Sequence, residues 1–283
     1  MKYKNDFLVI IKGFIIGSSM SVPGISGGTM AILLGIYDKL IHSISNFLSD
    51  IKSNFIFLLK FVFGAGLGIG SLAFVIKWLL ERYPLYISFF FLGAVFGGIP
   101  ALLLKTKEKK IKASSIIYCL MGLAIVISIG FVPINSFSIT TGSGLIHYLK
   151  LLLTGIIIAI ALVLPGISTS HMLIVLGMYD SVLVAITKFD IIYLGILGLS
   201  TVIGIFMITK PIEWAMNRFT QQTYFIIIGF VLGSTMEIFR TKILPAIPSD
   251  VNYTWWIPAA LISILLFFAG FAAINSLSKH SED

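Results

Sequence analysis

The sequence predicts an all-α polytopic membrane protein made of two inverted-topology repeats, each a re-entrant helical hairpin followed by three transmembrane helices. Three observations predict it. Hydrophobic residues make up 58% of the chain and charged residues 11%, whereas about a quarter of a soluble domain is charged. A passage is written twice: "VPGISGGTMAILLGIYDKL" at 22–40 and "LPGISTSHMLIVLGMYDSV" at 164–182. Lysine is unevenly placed, with five in "KTKEKKIK" at 105–112 and neither Lys nor Arg from Pro133 to His147.

The charge bias orients the elements, because short basic loops stay cytoplasmic. With 105–112 inside, the run 113–132 crosses outward, 85–104 inward and 55–76 outward, which leaves the 38–54 loop inside. Each run is close to the roughly 20 residues that cross about 30 Å of hydrocarbon as a helix. Lys2, Lys4 and Lys12 also belong inside, so 7–37 enters and leaves on one face as a re-entrant hairpin. Its arms, 7–22 and 24–37, are both short and interrupted by glycine, and Pro23 removes a backbone donor between them. The second hairpin, 147–179, follows three crossings and therefore enters from outside. Runs 191–209, 222–239 and 255–276 complete six crossings and place both termini in the cytoplasm. Arg240 and Lys242 fall outside in this topology, against the charge rule.

These runs are continuously apolar rather than alternating, which excludes a membrane β-barrel. The first 21 residues have the pattern of a secretory signal, but the equivalent "GIIIAIALVLPG" occurs internally at 155–166, so they are expected to belong to the fold. Aligning Pro23 with Pro165 matches ten of the sixteen positions 23–38. At an offset of 136, Trp78 and Arg82 meet Trp214 and Arg218, and Gly93 and Gly97 meet Gly229 and Gly233. Repeats 1–132 and 133–283 thus form one membrane domain, 1–283, and internal repeats of this size usually mean transport.

Several chemistries are excluded. Cys119 stands alone, so neither an intrachain disulfide nor a cysteine metal site exists. The net charge of +8 is scattered over membrane-flanking loops without interleaved aromatics, so no nucleic acid is expected. No Walker-type loop is present, and neither cofactor nor metal is expected.

Non-helical backbone at membrane depth survives only against protein or a water-filled cavity. The two Pro-Gly breaks therefore mark a cavity, and the amides of 24–29 and 166–171 begin helices that present partial positive charge to it. Gly24, Gly27, Gly28 and Gly166 allow close approach of an anion such as phosphate, while Ser26, Thr29, Ser168, Thr169 and Ser170 add hydroxyl donors. Plain helix packing by small residues is the competing reading of the breaks. His171 aligns with Thr29 and is either a hydrogen-bonding cap residue or a ligand and proton-sensing contact.

Arg82 and Arg218 are either interfacial anchors beside Trp78 and Trp214 or two-pronged phosphate ligands. Glu81, Glu213 and His171 are the candidates for proton coupling. The Gly-x-x-x-Gly pairs point to close helix packing. Gly24-Ile25-Ser26-Gly27-Gly28 also fits a G-x-S-x-G nucleophile pattern, although an intramembrane serine hydrolase would need an oriented base that the sequence does not supply.

The duplicated Pro-Gly-Ile-Ser with its downstream Gly-x-Tyr-Asp, in two repeats covering essentially the full chain, resembles the bacterial polyprenyl-phosphate transporter family. The resemblance implies a plasma-membrane protein that returns undecaprenyl phosphate, the lipid carrier for wall polymers, from the outer to the inner leaflet. Its partners would be that lipid and the membrane, and a homodimer stays open. A small-anion channel or exchanger is the alternative transport reading.

Overall fold

The computed structural model describes residues 2–20, 26–106, 111–133, 145–248 and 253–279, and no strand occurs among them. The first half contains α1 (Lys2–Met20), α2 (Gly27–Leu33), α3 (Tyr37–Ser45), α4 (Ile51–Arg82), α5 (Pro84–Lys105) and α6 (Ala113–Gly130). The second contains α7 (Leu145–Val163), α8 (Thr169–Val175), α9 (Tyr179–Thr187), α10 (Ile191–Arg218), α11 (Thr220–Ile238), a π-helical turn (Phe239–Ile243), α12 (Leu244–Ala246) and α13 (Tyr253–Lys279). Pro23 and Gly24, half of the 105–112 loop and most of the 133–147 loop lie outside the described residues.

The helix ends follow from local chemistry. Asp50 and Asp190 cap α4 and α10 by accepting the N–H of Ser53 (3.1 Å) and Tyr193 (3.0 Å). Pro84 opens α5, where a missing N–H costs nothing. The repeated Gly-x-Tyr-Asp is a corner. Gly35 and Gly177 end α2 and α8 at φ +65° and +68°, a region that suits glycine. The amides of Ile36 and Met178 reach back to Ala31 and Leu173. This is the helix-ending loop that satisfies otherwise orphaned carbonyls. It turns α8 into α9 by 111°.

α1 and α4 run parallel, glycine on backbone: a β carbon at Gly13 or Gly17 would strike Phe61 or Ala65, and one at Gly64 or Gly68 would strike Ile10 or Phe14. α7 lies on α10 in the same manner, through Gly155 on Ser200 and Gly204 on Ala159. Beyond Gly68 and Gly204 the longer helices continue to Arg82 and Arg218. At about 1.5 Å per residue that extension is roughly 21 Å. Both ends of the first hairpin sit at the start of α4, where Asp6 pairs with Lys60 (2.7 Å) and Lys39 lies 4.6 Å over the Phe57 ring. The chain therefore returns to the end from which it came, hereafter the Lys105 end; the opposite one is the Arg82 end.

The arms differ from the sequence expectation in length. α1 and α7 are each 19 residues, and only the return arms α2 and α8, at 7 residues, are short. Seven helices among the described residues are long and apolar enough to cross a membrane: those of the six expected runs, and α7. α7 keeps its helix because glycine-mediated packing on α10 supports it up to the Pro165 break.

The third long helix of each half packs on the second of the other: Gly93 and Gly97 of α5 meet Phe267 and Phe271 of α13, and Gly229 and Gly233 of α11 meet Cys119 and Val126 of α6. α5 and α11 form the centre with α2 and α3, while residues such as Phe74, Ile191 and Leu265 face outward as lipid-exposed surface. Replacing Gly93 or Gly229 by leucine drives a side chain into a partner backbone. The expected loss is at least the 1–3 kcal/mol typical of overpacking. Thermal unfolding in detergent should show it, with Gly66→Ala, where a β carbon meets nothing within 4 Å, as the unchanged control.

Candidate functional site

At the centre, the start of α2 seats on the broken end of α7. Pro165 has no N–H and α7 stops at Val163, so the last carbonyls of that helix lose their helical donors. Side chains from the other half replace them: Tyr37 Oη donates to the Val163 carbonyl (3.1 Å) and Ser26 Oγ to the Leu164 carbonyl (3.4 Å). In return Thr29 Oγ1 accepts the N–H of Gly166 at 2.8 Å. Gly166 adopts φ +80°, and a β carbon there would strike the Phe230 carbonyl, so glycine is required twice over. Gly28 lets the backbones close, since a β carbon would lie 3.0 Å from the Val163 carbonyl oxygen.

The residues expected at the breaks therefore divide. Ser26 and Thr29, 2% and 1% exposed, are committed to holding the two halves together, as is the Gly166 amide. Gly27 lies against Met20. Ser168, Thr169, Ser170 and His171 are only half-buried at the start of α8. Ser168 Oγ accepts the His171 N–H at 3.4 Å, and His171 Nε2 lies 3.4 Å from the Ile129 carbonyl. The first-turn amides of α8 point out of the helix, as they do in any helix start. Gly24 lies outside the described residues.

The arginines and glutamates are not gathered at these breaks. Arg82 and Arg218 are exposed at the last turns of α4 and α10, at opposite ends of the molecule. Trp78 and Trp214 are exposed beside them, edge-on to Tyr83 and Phe219. Glu81 makes a loose pair with Lys77 at 3.8 Å. Glu213, at the Lys105 end, binds the α3 segment: its carboxylate accepts from Ser45 Oγ and from Asn46 Nδ2 (2.7 Å), and lies 2.5 Å from His42 Nδ1. Among the described residues no three His, Cys, Asp or Glu side chains converge to hold a metal.

Sequence reasoning missed a cluster at the Lys105 end. Asp38 Oδ2 accepts from Lys105 Nζ (2.5 Å) and from Tyr224 Oη (2.9 Å), tying α3 to α5 and to α11 of the other half. The signal was present, since Tyr37 and Asp38 are the Tyr-Asp of the repeated Gly-x-Tyr-Asp, but their partners lie 67 and 186 residues away from Asp38.

The sequence matches the family described as VCA0040-like, undecaprenyl phosphate translocase-like, over residues 16–252. A polyprenyl-phosphate transporter of Staphylococcus aureus is 34% identical over 283 residues, 95% of this chain and 95% of the relative. A polyprenyl-phosphate transporter of Vibrio cholerae is 30% identical over 259 residues, 85% of this chain and 80% of the relative. No solved structure matches the chain. Matched over most of its length by the family and by both relatives, the chain belongs to the undecaprenyl phosphate translocase-like family of multi-pass membrane proteins.

Proposed function

We propose that the chain is a transporter, not an enzyme, that carries a polyprenyl phosphate, undecaprenyl phosphate in the first instance, from the outer to the inner leaflet of the bacterial plasma membrane. The family and both relatives support the substrate class. The observation that carries the mechanism is the meeting of two interrupted hairpins, with α2 seated on the break after α7 and both parallel helices running on past that level. Repeats 1–132 and 133–283 are read as inverted, with re-entrant hairpins at 7–37 and 147–179 and both termini cytoplasmic, because the lysine-rich 105–112 loop marks the Lys105 end as the inner one.

The phosphate sits at the start of α8, where outward-pointing amides, Ser168, Thr169, Ser170 and His171 supply donors without a buried lysine. The prenyl chain stays in lipid and only the headgroup enters. Gly24, Gly27 and Gly28 take the corresponding place when the α1–α2 break is the exposed one. Arg82 and Arg218 meet the headgroup at the two membrane surfaces, and Glu81, Glu213 or His171 carries any coupled proton. The serine hydrolase reading is not favoured, since the Ser26 hydroxyl donates to the Leu164 main-chain carbonyl.

The reading is tested in liposomes by lipid-phosphate translocation measured beside chloride flux. Translocation without chloride flux is the expected result, and chloride flux alone would make the chain an anion channel. Thr29→Val leaves the Gly166 N–H without its acceptor, which costs about 1–3 kcal/mol of stability. Thr29→Ser should keep both stability and transport. Arg82→Ala and Arg218→Ala each remove a charged hydrogen-bonding group worth about 1.5–3 kcal/mol, or roughly 10- to 100-fold in apparent affinity for lipid phosphate. Undiminished transport in both would reduce these arginines to interfacial anchors.

A further inference from the structure

The two copies of the repeated motif are in different states. At the Lys105 end, Tyr37 is 3% exposed and bonded, Asp38 is bonded to Lys105 and Tyr224, and α3 is joined to α10 through Glu213. At the Arg82 end the equivalent Tyr179 is 39% exposed. Asp180 opens on to a crevice with His147, Lys188, Asp190 and Tyr193, and makes no ion pair among the described residues. α2 is buried almost throughout, whereas Val175 is the sole buried residue of α8.

The docked cluster has a counterpart at the other end. Tyr224 aligns with Ser88 at the offset of 136. Ser88 is 2% exposed, and its buried hydroxyl has no hydrogen-bond partner among the described residues. Such a group is costly unless some state of the protein satisfies it. Lys105 aligns with Thr241 at the same offset, but the π-helical turn Phe239–Ile243 inserts one residue. The buried pair Leu102 and Thr106 is spaced by four, the buried pair Ile238 and Ile243 by five. The insertion puts Lys242 in the place of Lys105.

We propose that Asp180, Lys242 and Ser88 form a lock that closes the Arg82 end when the Asp38–Lys105–Tyr224 lock opens. This rests on the transport reading above, in which the two breaks are exposed in turn. The structure is thus the state docked at the Lys105 end, with the Tyr179–Asp180 corner undocked at the Arg82 end. Asp180 carries the charge that Lys242 takes, and the Ser88 hydroxyl donates to it as Tyr224 does to Asp38. Because serine is shorter than tyrosine, α9 seats closer to α5 than α3 does to α11.

The test uses the full chain in membrane vesicles with Cys119→Ala, so that no native thiol remains. Ser181→Cys and Thr241→Cys flank the lock without removing its members, and a short thiol cross-linker reads their proximity. Lys105→Met, which frees the first lock, should raise cross-linking about fivefold, and adding Asp180→Asn should abolish the rise. As a second measurement, Asp180→Lys and Lys242→Asp should each depress translocation and restore it when combined. Cross-linking that does not change with Lys105→Met in a protein that still moves polyprenyl phosphate would overturn the lock and leave the transport reading intact. A cross-linking rise in a protein that moves no such lipid would uphold the lock and remove the function.

Discussion

A helix broken inside a membrane protein leaves carbonyls and amides that lipid cannot satisfy, each at a cost of several kcal/mol. Here the break after α7 is resolved by exchange between halves: Tyr37 and Ser26 donate to the freed carbonyls of Val163 and Leu164, and Thr29 accepts from Gly166. The rest of the architecture depends on this exchange. α2 must lie against the end of α7, so α1 and α7 must both stop in the interior, and the long helices that support them must run past. The glycines of α1, α4, α7 and α10 permit that arrangement by letting backbones touch.

The same exchange joins mechanical and chemical roles. Hydroxyls that hold the two breaks together are unavailable to a ligand in this state, whereas the corresponding residues of α8 remain accessible. Of the two similar breaks, the first supplies the docked surface through α2 and α3. The charged groups differ between the ends: Asp38, Lys105 and Glu213 tie elements together at one, whereas at the other Asp180 makes no ion pair among the described residues and Arg240 donates to the Gly130 carbonyl.

Much of this was legible in the sequence. The apolar runs located the long helices, and the Gly-x-x-x-Gly pairs announced close packing, although their partners, α13 for Gly93 and α6 for Gly229, are set by chain crossing between halves. The doubled Gly-x-Tyr-Asp was visible as a pattern, but its double use was not. Glycine turns the corner through local hydrogen bonds, while Tyr37 and Asp38 act through partners far along the chain. Glu213, read from the sequence as a candidate for proton coupling, is the partner of His42, Ser45 and Asn46, which no local pattern announces. The arm 7–22 read as short because hydropathy registers glycine as an interruption, whereas Gly13 and Gly17 are what let α1 pack on α4.

By itself the sequence determined the solvent, the helical character, the repeat and the places where the helices must break, because hydrophobicity, glycine and proline act locally. Tertiary structure decided which copy of the break is docked and which is exposed. Both copies carry Pro-Gly-Ile-Ser and Tyr-Asp, so no local rule separates them; the difference arises from long-range packing of α2 and α3 against α5, α10 and α11, which the first copy makes.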